Sequence, residues 1–201
     1  MPELTNSLVS RSQNVYKNCM RKKILVPIAD GSEEIEAACI IDTLRRADAD
    51  VTIASVHTYK QITASRGLKI IADCLIDECK DTIYDLIALP GGMPGAENLS
   101  SCQLLIAMLK QQKVSNRFYA AICASPAVVL APHGLLDDVR ATCYPSMFDK
   151  LNSPSKEKVV VDQNCITSQG PATAIAFALK LVELLYDKQA ADKIGKAMLV
   201  S

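Results

Sequence analysis

The chain has 201 residues, 49% of them hydrophobic and 22% charged, with 22 basic and 22 acidic side chains giving a formal net charge of zero. That is a globular composition, long enough to bury a core, and not that of a disordered chain. A neutral balance supplies no long-range field to attract nucleic acid or an anionic membrane, and no apolar run approaches a membrane span.

Residues 1–20, "MPELTNSLVSRSQNVYKNCM", lack a continuous apolar stretch, so they do not read as a secretory signal. They read as a flexible N-terminal extension, with organellar targeting as the alternative to a cytoplasmic location. Residues 21–201 are expected to form one domain. From Lys23 short apolar runs alternate with longer amphipathic ones. "KILVPIA" (Lys23–Ala29) is a buried-strand run. "EEIEAACIIDTLRRA" (Glu33–Ala47) places Ala37, Ile40, Ile41 and Leu44 on one side of a helix. "DVTIASV" (Asp50–Val56) is a second strand and "GLKII" (Gly67–Ile71) a short one. "YDLIALPGG" (Tyr84–Gly92) is a strand ending in a turn, and Cys102–Lys113 a helix. "RFYAAIC" runs as a strand into Cys123, with a helix expected from about Ser125. Short strands at Lys158–Asp162 and Cys165–Gln169 precede a helix over Pro171–Asp187, whose Gly170-Pro171 start suits an N-terminus.

Strand–helix alternation with fully apolar strands predicts a mostly parallel sheet covered by helices on both faces. Ligands of such sheets bind beyond the carboxyl ends of the strands. Three loops should meet there: Asp30–Glu36, Gly91–Gly95 and Cys123–Pro126.

Eight cysteines, at Cys19, Cys39, Cys74, Cys79, Cys102, Cys123, Cys143 and Cys165, are scattered with no C-x-x-C pair, and His57 and His133 are the only imidazoles. This favours a reduced intracellular protein and argues against a structural metal. Cys123 stands apart by position. A sharp strand-to-helix turn with small residues after it is the logic of a nucleophile elbow. The N–H groups of a following helix favour thiolate. A free thiol near pKa ~8.5 is about 3% thiolate at pH 7, and ~4 kcal/mol of stabilisation makes it nearly all thiolate. A buried structural cysteine is an equal reading on position alone.

The Pro90-Gly91-Gly92 turn lets backbone N–H groups approach a reacting oxygen and, with the Ala124 N–H, form an oxyanion hole. The alternative is an ordinary turn. Of the acids in "DGSEEIEA", Glu36 aligns with the edge of the buried stripe, Glu34 with the solvent side, and Glu33 falls in the first, most exposed turn. Glu36 is therefore the carboxyl expected to be desolvated, with a raised pKa, and able to donate to a thiolate. All three merely decorating a helix N-terminus is the plainer reading. No Cys–His pair is legible: His133 reads as a helix-end residue and His57 as loop surface.

Taken together, "ADGSEEIEA", "LPGGMPGAENL", "AAICASPAVVL" and "ITSQGPATAIAFALKLVELL" resemble the ThiJ/PfpI superfamily, in the branch of the Parkinson-associated deglycase (DJ-one). The likeness runs from about Lys22 to Val200. It implies a flavodoxin-like α/β sandwich, a homodimer, a nucleophilic and oxidisable Cys123, a protonated partner at Glu36, and an anion pocket of backbone N–H groups at Gly91, Gly92 and Ala124. It implies no cofactor. The implied activity is glutathione-independent conversion of methylglyoxal to lactate (glyoxalase III) and removal of early glycation adducts from proteins. The alternative is oxidative-stress sensing at the same cysteine, with chaperone activity. Where many members carry a pocket histidine this chain has Tyr144. The peptidase-like branch has His after its cysteine, and here Ala124 stands there, which counts against a protease or amidohydrolase. Arg46, Arg66 and Pro171 match positions that the resemblance places at the pocket or the dimer contact.

Overall fold

The computed structural model describes residues 21–200; the expectation for residues 1–20 lies outside them. The chain forms a seven-stranded sheet in the order β5-β2-β1-β6-β7-β9-β8, from β1 (Lys23–Ile28), β2 (Asp50–Ser55), β5 (Cys74–Leu75), β6 (Leu86–Leu89), β7 (Phe118–Ile122), β8 (Val159–Asp162) and β9 (Cys165–Ser168). Every pairing is parallel except that of β8 with β9. A separate antiparallel hairpin joins β3 (Gln61–Thr63) to β4 (Lys69–Ile71). This is the expected flavodoxin-like sandwich, mostly parallel and helix-covered.

The run "KILVPI" shows why both faces are covered. Strand side chains alternate, and Ile24, Val26 and Ile28 enter one apolar cluster while Leu25 enters the other, all fully buried. On the first face lie α1 (Glu34–Arg46), α4 (Ala174–Leu185) and α5 (Lys188–Ala197), through Ile40, Leu44, Phe177, Leu181, Val182 and Ile194. The second face takes α2 (Gly95–Ser101) and α3 (Gln103–Val114), through Leu99, Leu105, Ile106 and Leu109.

The segment after β7 departs from expectation. Instead of a regular helix from Ser125, Pro126–Leu130 makes a single π-type turn closed by the Ala131 N–H on the Pro126 carbonyl, and Ala131–His133 continues as a 3-10 turn. Pro126 at the first position costs no helical bond, but Pro132 lacks the N–H that a continuing i to i+4 ladder would need, and the segment ends there. The short elements β3, β5 and α2, and the polar helix α5, are additions to the sequence-based expectation.

The sheet order positions the site. From β1 the chain steps to β2 on one side and later to β6 on the other. The crossovers therefore diverge and leave an opening at the carboxyl ends of β1, β6 and β7. The three expected loops leave those ends.

Candidate functional site

Cys123 directly follows β7 and lies in the left-handed region, at φ +64°. A non-glycine residue there is strained by roughly 1 to 3 kcal/mol, and the surroundings hold it in place. Its N–H donates to the Ser168 carbonyl of β9 at 3.0 Å, and its carbonyl accepts from the Tyr144 N–H at 2.7 Å. Next door, the buried Ser125 hydroxyl donates to the Pro90 carbonyl at 2.6 Å, tying the elbow to the loop after β6.

That loop admits only glycine where it meets its neighbours. A Cβ on Gly91 would lie 2.6 Å from the Cys123 Cβ and 2.8 Å from the Ile122 carbonyl oxygen. Gly92 has φ +90°, and a Cβ there would lie 2.4 Å from the Gly31 carbonyl oxygen and 2.5 Å from the Glu33 nitrogen. The glycines thus allow the backbones of all three loops to touch, and the Glu33 N–H closes the junction by donating to the Gly91 carbonyl at 2.8 Å. The Gly91 N–H of the expected anion pocket is instead taken by Glu36 Oε2, and the Gly92 and Ala124 N–H groups favour the Cys123 thiolate.

Glu36 lies in the first turn of α1 and is fully buried. Its Oε2 accepts from the Gly91 N–H at 2.8 Å, while its buried Oε1 has no conventional hydrogen-bond partner. Burial raises its pKa to about 7, against the opposing pull of the Gly91 N–H and Cys123. This is the desolvated carboxyl that the helical spacing singled out.

The thiol behaves differently from expectation. Burial first, and then the negative charge of Glu36, push Cys123 up to about 12, although the Gly92 and Ala124 N–H groups pull it down. N–H donors with a full helix behind them would favour the thiolate. The interrupted segment provides a weaker dipole, and a carboxylate sits alongside. Two buried anions in contact repel strongly, so the two groups titrate as a pair sharing one proton above about pH 7.

Cys123, Gly92 and Ala124 open onto a cavity of about 390 Å³ whose walls include Glu33, Ser65, Arg66, Met93, Tyr144, Ser146, Met147 and Pro171. Arg66 is thus at the pocket, held by its own N–H on the Glu34 carboxylate at 2.9 Å. The Tyr144 ring lies over Gly170. Arg46 lies elsewhere: ten residues along α1 from Glu36 is roughly 15 Å, and its guanidinium pairs with Asp42 at 2.6 Å. A pocket role for Arg46 is therefore excluded. His57 accepts from the Asp30 N–H and stacks on Tyr59, and His133 meets Ser100; neither lines this cavity.

Glu33 corrects the sequence reading. Placed in the most exposed turn by helical counting, it instead precedes α1 and is only 8% exposed. Ser65, from the β3–β4 turn, lies 2.7 Å from Glu33 Oε2 and 2.8 Å from Glu34 Oε2. The hairpin therefore builds one wall of the pocket. The pattern S-R-G between two β-branched runs was the only signal for it.

Comparison with known proteins agrees with this architecture. The model of the DJ-1/PfpI family matches residues 22–184. The chain belongs to the DJ-1/PfpI family. Protein DJ-1 homolog B of Arabidopsis thaliana is 51% identical over 180 residues, covering 89% of this chain and 41% of the relative. A second Arabidopsis relative is covered to 46%, so the chain spans less than half of either. The glutathione-independent glyoxalase DJR-1.2 of Caenorhabditis elegans is 35% identical over 87% of this chain and 94% of its own. Among solved structures, oxidized Toxoplasma gondii DJ-1 superposes with a TM-score of 0.88 at 49% identity, covering 90% of this chain and 99% of that one.

Proposed function

We propose that this DJ-1/PfpI member is a cofactor-independent glyoxalase. It would convert methylglyoxal-type 2-oxoaldehydes into 2-hydroxy acids, and act on the adducts those aldehydes form with protein amines. The observation that carries the reading is the pairing of a strained, half-buried cysteine with a fully buried carboxyl lifted to about 7. In the reactive tautomer Glu36 holds the shared proton and Cys123 is the thiolate, steadied by the Gly92 and Ala124 N–H groups.

The thiolate sulfur attacks the aldehyde carbon C1, and the C=O electrons move to O1. O1 is one bond from the attacked carbon, within reach of the N–H groups that held the sulfur. Glu36 delivers its proton to O1, giving a hemithioacetal. Its carboxylate then removes the C1 proton, and the electrons flow through to the C2 oxygen, which takes up a proton to give an enediol. Return of a proton to C2 with loss of the O1 proton leaves a lactoyl thioester. C1 has been oxidised and C2 reduced, so no external electron carrier is needed. Water adds to the thioester, the C–S bond breaks, and lactate leaves with Cys123 restored.

Two comparisons support the class of reaction: the family membership and the similarity to a named glutathione-independent glyoxalase. Tyr144 is the pocket-lining group where many members have histidine, so proton movement rests on Glu36 and water. A dimer, as the resemblance implies, has an apolar surface available: Ile35 on α1 and Leu68 and Ile71 on the hairpin are 53%, 55% and 68% exposed. The assay is methylglyoxal loss with lactate detection and no glutathione, comparing the wild type with Cys123→Ser. Equal rates in the two proteins refute the nucleophile.

A second reading, a stress sensor with chaperone activity and little turnover, is favoured by the existence of the Toxoplasma relative in an oxidized form. It uses the same cysteine, taken to sulfinic acid.

A further inference from the structure

Far from Cys123, two other thiols are in contact. The Cys74 and Cys79 sulfur atoms lie 3.4 Å apart. Cys74 opens β5, the edge strand, where it pairs with Ala54 of β2. Cys79 closes the 3-10 turn Ile76–Cys79 that follows. The turn folds the chain back so that residues five apart face each other, and Cys79 is held there by its own contact with the Leu75 carbonyl at 3.8 Å. Cys74 is half-buried and Cys79 is 2% exposed. One thiol is thus open to a small reagent, and the other is sheltered directly behind it.

The geometry points to a second redox site, a reversible Cys74–Cys79 disulfide that staples the edge strand to its turn. The two sulfurs need to close by roughly 1.4 Å to reach the disulfide length of about 2.05 Å. A hydroperoxide is the oxidant. The Cys74 thiolate attacks its terminal oxygen, the O–O bond breaks, and Cys74 becomes a sulfenic acid while an alcohol, or water, leaves. The Cys79 sulfur then attacks the Cys74 sulfur, the S–O bond breaks, and its thiol proton leaves with the oxygen as water. Two thiols and one hydroperoxide thus yield one disulfide, one alcohol and one water, a two-electron oxidation. Burial and the neighbouring Cys79, Glu78 and Asp73 push the Cys74 thiol up to about 12, so the first step is slow. The second is intramolecular between atoms already touching, so the sulfenic acid does not accumulate. A dithiol reductant reverses the bond by exchange.

The site is independent of the proposed glyoxalase. Three strands (β2, β1 and β6) separate β5 from β7 in the sheet, a span of roughly 19 Å at about 4.8 Å per strand. Direct exchange with Cys123 is excluded at that distance.

The test uses the Cys123→Ser full chain, so that neither failure nor success of the catalytic reading bears on it. The protein is treated with hydrogen peroxide, alkylated, digested with trypsin and weighed. Cleavage after Lys69 and Lys80 gives the peptide "IIADCLIDECK", which holds both thiols and no other cysteine. The expected product is this peptide two hydrogen masses lighter and closed to alkylation, with both changes undone by dithiothreitol. Cys79→Ala should remove the light species and leave Cys74 alkylated or carrying oxygen. Alkylation of both thiols at peroxide levels that consume a free-thiol standard overturns the proposal. So does independent gain of oxygen at each sulfur, or a bond to any other cysteine.

Discussion

Replacing Glu36 with glutamine should make the protein more stable relative to its parent as the pH rises, because the native carboxyl is buried where its charge is unwelcome. The comparison is cleanest in a Cys123→Ser background, where the carboxyl titrates without the thiol. Folding lifts the Glu36 pKa from 4.5 to about 7, chiefly by desolvation of a fully buried group. A raised pKa means that the folded state binds the proton more tightly than the unfolded chain does. The stabilisation from that proton is complete below 4.5 and is lost progressively as the pH climbs to about 7. Across the whole window the loss is roughly 3 kcal/mol at about 1.4 kcal/mol per pH unit, of which about 2.5 falls between pH 5 and pH 8. Glutamine keeps an oxygen to accept from the Gly91 N–H and carries no charge, so it is spared the loss. The stability advantage of Glu36→Gln over its parent should therefore grow by about 2.5 kcal/mol from pH 5 to pH 8. In a chain of this size that moves the difference in melting temperature by ~5–10 °C. Urea or thermal melts of both proteins at the two pH values read it directly. A difference that stays constant between them would show that Glu36 ionises as an ordinary surface acid, and the proton-holding role assigned to it would fall.

In the wild-type background Glu36→Gln should lower kcat/KM for methylglyoxal by about 10²- to 10⁴-fold, the usual weight of a positioned acid–base group; a loss below tenfold would assign the proton transfers elsewhere. The pH profile of kcat/KM should rise through about 7, because below that value both members of the pair are protonated and no thiolate forms; a flat profile from pH 5 to 8 contradicts the shared proton. Gly92→Ala should cost at least ~2 kcal/mol and most activity, since its Cβ meets backbone at 2.4 Å at a positive φ, and a fully stable, active variant would refute the loop packing. Tyr144→His should raise kcat with little change in melting temperature if an imidazole can share the proton traffic from that position, and kcat at or below wild type would show that it cannot.

The main strands and the site's position were legible because they follow from local pattern. Fully apolar runs can only be central strands, and Cys123 and Gly91 sit at the ends of two of them. The 3.6-residue period through Ala37, Ile40 and Leu44 was enough to bury Glu36. Glu33 escaped the same reasoning because it sits just outside the helix, where the period no longer governs direction. β4 was legible as a short strand within Gly67–Ile71, but its hairpin partner escaped because β3 is three residues, too short for alternation to register. Helix α2 is seven mostly polar or small residues, and α5 buries only Ala191, Ile194 and Gly195, with the Asp187 cap as its one clear local signal. The thiol's titration was illegible for a different reason. It is set by desolvation and by contact with a carboxyl 87 positions earlier in the chain, and neither quantity has a local sequence signature.

That dependence on a distant partner is also what makes the site chemically plausible. Among the described cysteines, Cys39, Cys74, Cys143 and Cys165 are pushed up by burial as Cys123 is, so a static preference for thiolate does not set Cys123 apart. What does so is the combination around it: two backbone N–H groups on the sulfur and a carboxyl whose own pKa has been raised toward neutrality. Raising Glu36 brings the two proton affinities closer, so moving the proton from sulfur to carboxyl costs less than it would with an ordinary, solvent-exposed carboxylate. Each of these elements comes from a different loop: Gly92 after β6, Ala124 after β7, and Glu36 on the helix after β1. The divergence of the crossovers at β1 and β6 is what lets them converge. A fold that buries a carboxylic acid at some expense in stability above pH 7 thereby holds, beside the strained thiol of Cys123, an acid able to give and take a proton near neutral pH.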